Sequence, residues 1–314
     1  KRRKYEMKNI LFATTALVLT AGIASADVSL SGAANVGLIN DGTAGDNTDM
    51  YQNISLTAAM SGETDGGLTF GASLTVRNGD DVDLDAGDLG KAINANPGST
   101  TAGTLSATSF GNIYVSGAFG TLTFDREGID NLMDDAFAHD MSYAYSAGDL
   151  SLTVTADMDD DGVALAKGEK WSAKVGYTMD ALTLTASTDD SSESDITVAY
   201  KMSDMIGFSV NLDSNGQTVN SVVESETIVK ATYAAGDMTA HVAWADDKDD
   251  AWEIGVGYTA GALKLGATIA ENDGATVAGT EYDVTASYDL GGGMVVKGAT
   301  NESGAFFVGT ALAF

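Results

Sequence analysis

The chain has 314 residues, with 37 Gly, one Pro and no Cys; 45 acidic against 16 basic residues give a formal net charge of −29. Without cysteine there is no disulfide framework and no thiolate chemistry, and the acid excess excludes a nucleic-acid binder, which needs a basic footprint. A charged fraction of 19% beside 44% hydrophobic residues excludes a disordered acidic tail, and the length suits two ordinary domains or one large all-β domain.

Residues 1–26 read as an address. Lys1, Arg2, Arg3, Lys4 and Lys8 form a basic start, an apolar run follows from Ile10 to Ile23, and Ala24-Ser25-Ala26 ends it. This is the pattern of a secretory signal peptide. The expected cleavage lies between Ala26 and Asp27, and Met7 opens a more ordinary signal, so 1–6 read as an upstream extension. Cleavage removes five basic residues and one acid and leaves the mature chain, 27–314, at −33. The apolar run is too short for a comfortable spanning helix, and no later stretch approaches 18 consecutive apolar residues, so no transmembrane helix is expected.

The rest of the chain has a period of two. Val28–Leu38 is a lone first strand. Ile54–Met60 and Leu68–Val76 form a hairpin, and Phe110–Asp125 forms a second that turns near Gly117–Gly120. Met141–Tyr145 lead to Leu150–Ala156. In Trp171–Met179 the residues Trp171, Ala173, Val175, Tyr177 and Met179 share one parity and Ser172, Lys174, Gly176 and Thr178 the other. A helix of period 3.6 would scramble such alternation. Leu182–Ser187, Ile196–Met202 with Ile206–Leu212, Val229–Tyr233 with Met238–Trp244, Trp252–Tyr258 with Leu263–Ile269, and Tyr282–Leu290 with Met294–Val296 continue the series. Ala305–Phe314 is a lone last strand. Eight hairpins and two single strands give 18. Connections alternate between short turns, such as Ala147-Gly148-Asp149, and longer acidic segments, such as 79–104 and 157–168. Short turns at one rim and long loops at the other predict an antiparallel up-and-down barrel.

Alternation alone leaves its sense open, because a soluble barrel and a membrane barrel share it. Three features favour the membrane. Eighteen strands enclose more space than side chains fill. Tyr145, Tyr177, Tyr200, Tyr233, Tyr258 and Tyr288 each precede a short turn on the apolar parity, and Trp171, Trp244 and Trp252 lie at the opposite strand ends. Tyr and Trp favour the membrane interface. The last strand carries Phe306, Val308, Leu312 and Phe314 in one phase. The polar parity, with Arg77, Lys174, Lys201, Lys230, His241, Lys264 and Lys297, then lines water.

That ending looks like the C-terminal assembly signal of bacterial outer-membrane proteins, closing on Phe314. The segments DVSLSGAANVGL (Asp27–Leu38), LTFGASL (Leu68–Leu74), VSGAFGTLTF (Val115–Phe124), YSAGDLSLTVTADM (Tyr145–Met158) and ASYDLGGGMVVKG (Ala286–Gly298) resemble the alphaproteobacterial, Rhodobacter-type general diffusion porins. The resemblance spans essentially the whole chain. It implies a trimer of 16-stranded barrels, against the 18 strands counted here, with lipid, lipopolysaccharide and the barrel assembly machinery as partners. It also implies a constriction loop after the fifth strand, here Asp125–Asp140 (DREGIDNLMDDAFAHD), shorter than in the family.

The expected function is passive diffusion of ions and small hydrophilic solutes through an outer-membrane pore of a Gram-negative cell. The candidate neck comprises Asp125, Arg126, Glu127, Asp130, Asp134, Asp135, His139 and Asp140, opposed by the wall bases Arg77, Lys174, Lys201, Lys230 and Lys264. Opposed charges set a transverse field in that family, and an acidic ring concentrates cations. The family also implies calcium near the constriction. The acid clusters Asp80–Asp88, Asp159–Asp161 and Asp246–Asp250 carry no EF-hand or glycine-rich calcium repeat, so they read as a solvated acidic face and no cofactor is expected. Catalysis is not expected: only His139 and His241 exist, neither in a nucleophile or zinc motif. A substrate-specific channel and a secreted β-rich binding or surface protein remain the alternatives. Small outward residues on the first strands, Gly32, Ala34, Ala58 and Ala72, suit close packing of barrels.

Overall fold

The computed structural model describes residues 27–40, 42, 48–79, 108–133, 138–158, 170–191, 193–214, 218–219, 222–223, 225–246, 251–272 and 279–314. The signal peptide expected at 1–26 lies outside them. No helix of the described residues is long and apolar enough to cross a membrane.

In chain order the strands are β1 (Asp27–Asn40), β2 (Asp49–Glu63), β3 (Thr69–Gly79), β4 (Thr108–Gly117), β5 (Gly120–Asp130), β6 (Ala138–Ala147) and β7 (Leu150–Ala156). Then come β8 (Trp171–Met179), β9 (Leu182–Asp189), β10 (Ser194–Lys201) and β11 (Ile206–Asp213). A two-residue hairpin, β12 (Thr218–Val219) and β13 (Val222–Val223), sits in the next connection. The series ends with β14 (Glu226–Ala235), β15 (Met238–Asp246), β16 (Trp252–Ala260), β17 (Leu263–Asn272), β18 (Gly279–Gly291), β19 (Met294–Asn301) and β20 (Phe306–Ala313).

All but β12 and β13 form one 18-stranded antiparallel sheet in which each strand pairs with its chain neighbours. β1 pairs with β2 and also with β20, in register Gly37↔Gly309 and Ile39↔Phe307, so the sheet closes on itself. This is the 18 of the hairpin count, two more than the resemblance implies. Strand N–H and C=O groups, the bulges apart, then find ladder partners on both sides with no free edge, the condition for strands in hydrocarbon. At a strand spacing of about 4.8 Å and a tilt of roughly 40°, such a ring has a radius of about 18 Å.

One rim is built of tight turns. Two-residue turns need a left-handed backbone at their first position, which glycine adopts at no steric cost. Gly148 (φ 60°) and Gly236 (φ 57°) supply it, and Asp180 (φ 52°) does the same for the β8–β9 turn. The other rim carries the longer connections.

The wall settles which parity faces outward. Along β18 the residues Tyr282, Val284, Ala286 and Tyr288 are exposed, while Glu281, Asp283, Thr285 and Ser287 are half-buried. β10 and β11 alternate in the same way. A closed cylinder leaves its convex face more open than its concave one, so the apolar set is outside and the polar set inside. Tyr177, Tyr200, Tyr233, Tyr258 and Tyr288 ring the convex face near the short turns, with Trp171 and Trp244 near the other rim. A soluble barrel would have the opposite sense. The described apolar core is correspondingly small: Ile39, Tyr51, Ala299, Ala305 and Phe307 at the closing seam.

Candidate functional site: the pore lining

Register alone assigns the inner face, because directly paired residues share a face. Starting from Ser287, the inward row runs through Lys264 on β17 and Lys297 on β19 to Gly309 and Gly37. The predicted wall bases all fall inward: Arg77 opposite Ser55, Lys174 opposite Thr153, Lys230 opposite Ser209, Lys201 opposite Gly207. They do not converge. Lys201 and Lys264 lie beside short turns. Lys201 Nζ donates to Asp204 Oδ1 at 2.9 Å in the β10–β11 turn, which holds the Asp204 carboxyl below the usual carboxylate range. Lys174 and Lys230 sit at mid-wall, and Arg77 nears the long-loop rim.

Inward carboxylates gather at the opposite end. Asp189 ends β9, Asp195 and Asp213 face each other across β10 and β11, and Asp213 in turn faces Glu226 on β14. Asn211 Nδ2 donates to Asp195 Oδ2 at 2.6 Å. Glu253, near the start of β16, is nearly buried. Its Oε1 lies 2.5 Å from His241 Nε2 and 3.9 Å from Lys230 Nζ. Gly255 gives the imidazole room, since a Cβ there would strike the ring. Sequence reading placed Lys230 and His241 inward and missed Glu253; its parity within β16, opposite Ala243, was the available signal.

The span expected to be a single constriction loop, 125–140, is built differently. The ladder continues to Asp130 and resumes at Ala138, so the connection itself is 131–137. Between Phe124 and Ile129, β5 bulges against the stretch of β6 from Met141 to His139. Gly128 lies in the bulge, and the Asp125 carboxylate occupies the space a side chain there would need. Asp125, Arg126, Glu127 and Asp130 therefore belong to the end of β5, and His139 and Asp140 to β6; Asp134 and Asp135 lie outside the described residues. Asp140 accepts a bond from the Met158 amide at 2.9 Å.

The described start of the connection, 131–133, turns inward. Leu132 N–H donates to Ser172 Oγ on β8 at 2.9 Å, so the chain leaving β5 crosses the inner face of β6 and β7. Beneath it Ser172 Oγ lies 2.6 Å from Thr155 Oγ1, which lies 2.7 Å from His139 Nδ1. All three are at most 1% exposed. His139 thus braces, through Thr155, the Ser172 hydroxyl that accepts from the connection. Of the predicted bases, Lys174 is brought nearest, two residues from Ser172 on the same inner face. Among the described residues no three acids or histidines are placed to hold a metal ion.

A closed barrel with an apolar convex face, a charged concave one and an inturned connection is the architecture of a pore, and comparison with known proteins agrees. The Gram-negative porin family matches residues 13–304. The chain belongs to that family. This porin is 30% identical to the porin of Rhodobacter capsulatus, over 88% of this chain and 94% of that protein. Two mutants of the Rhodopseudomonas blastica porin share its fold, at 20% and 22% identity. Each match covers 92% of this chain and all of the other, with TM-scores of 0.53 and 0.55. As an outer-membrane diffusion porin it is a passive channel, not an enzyme.

The described start of the porin's connection is held by a side-chain acceptor, Ser172 Oγ. Ser172→Ala removes it and is expected to cost about 1 kcal/mol while raising open-channel current noise several-fold. Single-channel recording with Ser172→Thr as the hydroxyl-retaining control checks this.

Proposed function

We propose that this porin prefers cations and works as a trimer after export by its signal peptide. The observation that carries the preference is the set of inward carboxylates at the long-loop end, Asp189, Asp195, Asp213, Glu226 and Glu253, on a chain of net charge −29. Acidic rings raise the local cation concentration at a mouth, and the acids of the 125–140 span add to the field over the β6–β8 wall. Lys174, two residues from Ser172 on the β8 wall, lies beside the connection and supplies a basic counterpart to its acids. Reversal potential in a planar bilayer under a KCl gradient tests it. Neutralising Asp130, Asp134 and Asp135 together is expected to lower the K⁺/Cl⁻ permeability ratio by about twofold to threefold. An unchanged ratio assigns selectivity to the mouth carboxylates, and an anion-directed potential in the unmodified porin refutes the preference.

Small residues on the convex face of β1–β3, Gly32, Ala34, Ala58 and Ala72, support side-by-side packing of three barrels in the lipid and lipopolysaccharide of the outer membrane. The small-residue ending Ala24-Ser25-Ala26 supports cleavage at the Ala26–Asp27 bond. Phe314 is the proposed signal to the assembly machinery. Native mass measurement and N-terminal sequencing of the exported protein check the stoichiometry and the cleavage site.

A further inference from the structure

The inner face of β17, β18 and β19 has a regular charge plan that the diffusion role does not use. Three adjacent inward rows cross all three strands. The first holds Thr268, Asp283 and Asn301, with Ala270 and Glu281 beyond it toward the long-loop rim; next come Gly266, Thr285 and Ala299; the third holds Lys264, Ser287 and Lys297, with Asp289 beyond it toward the short turns. A carboxylate sits at the centre of the first row, and two ammonium groups flank a hydroxyl in the third. The middle row is small. Lys264, Lys297 and Asp283 form no ion pair among the described residues, so their charges face the lumen uncommitted.

The wall is hollowed at the carboxylate and middle rows. A cavity of about 150 Å³ there is lined by Thr239, His241, Gly266, Thr268, Asp283 and Thr285, and the lysines stand outside it. Its floor owes its depth to glycine: Thr285 Oγ1 lies where a Gly266 Cβ would go, and Thr239 Oγ1 where a Gly257 Cβ would go. The hydroxyls therefore lie flat and leave the space above the sheet open. His241 closes one side, held by Glu253.

Successive inward positions on a strand are about 7 Å apart, so the first and third rows are roughly 13 Å apart at the backbone. A lysine stem and an aspartate laid toward each other leave roughly 5 Å, and standing straight into the lumen they leave roughly 13 Å, so intermediate rotamers set the two charges roughly 9 Å apart. A small amino acid, with a hydrogen bond of about 2.8 Å at each end, bridges charges at that separation in one orientation. A simple cation is repelled by the lysines and a simple anion by Asp283. We propose that this face is a subsite for small zwitterions of the amino-acid class, the ammonium on Asp283 and the carboxylate between Lys264 and Lys297. The inference rests on the reading of this lumen as a solute passage. The subsite holds a passing zwitterion against the wall, out of the axial ion stream.

Ligand-observed NMR on the folded full-length porin in detergent micelles reads the site without requiring conduction. The probes are glycine and β-alanine, against ethylammonium, propionate and propionamide as single-charge and neutral analogues of similar size. Saturable binding of the zwitterions, at least about tenfold tighter than any analogue, is the expected result. Asp283→Asn and Lys264→Gln should each weaken it about tenfold, the loss of one charged hydrogen bond, whereas Asp283→Glu retains it. Folding of each variant is read by heat-modifiable electrophoretic mobility. Should a variant not fold, the comparison of analogues on the unmodified porin decides alone. Equal binding of propionamide, or no saturable binding, overturns the proposal. Bilayer recording runs in parallel: a barrel that conducts but does not bind loses only the subsite, and one that binds but does not conduct loses only the pore.

Discussion

Gly37→Ala and Gly309→Ala are each expected to destabilise the closed barrel by about 3 kcal/mol, the cost of forcing an extra group into a filled site. The two glycines face each other where the last strand meets the first, and Tyr51 stands opposite Gly37 on the other side. A Cβ on Gly37 would strike the Val308 carbonyl oxygen, the Tyr51 ring and the Gly309 Cα. One on Gly309 would strike the Tyr51 hydroxyl and the Val36 carbonyl oxygen. Backbone atoms cannot swing aside as a side-chain tip can, so the strands must part. Parting them is costly twice over. It uncovers the seam's only apolar cluster among the described residues, Ile39, Tyr51 and Phe307 with their alanine neighbours. It also leaves two strand edges with unpaired amides and carbonyls in hydrocarbon, each at several kcal/mol. The urea midpoint in lipid vesicles and heat-modifiable mobility measure the loss. Gly66→Ala, in a turn with open space around it, is the control and should stay within about 0.5 kcal/mol. Unchanged midpoints at both seam glycines would show that the strands separate there at little cost.

Val256→Arg is expected to cost about 2–4 kcal/mol, the penalty for a cation on the lipid face near mid-membrane. Val256 lies at the centre of β16 on the convex face and is half exposed. Thr232→Arg, on the inner face of the neighbouring sheet sector opposite His241, should leave stability nearly unchanged because its guanidinium enters water. It should also shift the reversal potential toward anions. The pair reads the sense of the wall directly: equal costs at the two positions would contradict an apolar exterior in lipid.

Much of this fold is legible in the chain because its signals are local. Trp171–Met179 alternates without a break and is a strand with those bounds. The dipeptides at Gly148 and Gly236 mark turns because a two-residue hairpin demands a left-handed backbone that glycine supplies. The functional side chains were read less completely. The shared face of Arg77, Lys174, Lys201, Lys230 and Lys264 is legible because parity is local. The segment 125–140 reads as one loop in the sequence because its charges mask the strand pattern. Only the Asp125–Gly128 bulge and the pairing Ile129↔His139 show that most of it belongs to the wall. Its inward path depends on Ser172, about forty residues on, and no local signal carries that contact.

By itself, then, the sequence determined the strand count, the hairpin neighbours and the two faces of every strand, since each depends on a period of two and on turn chemistry within a few residues. Tertiary structure alone decided the rest. Closure through Gly37 and Gly309 joins the two ends of the chain, and only closure makes one face convex and so turns an ambiguous alternation into an apolar exterior. Register then brought Glu253 to His241 and Lys230 from three strands, and set Asp283 above Lys264 and Lys297. Those meetings depend on the stagger between strands, a property of the closed sheet that no single strand contains.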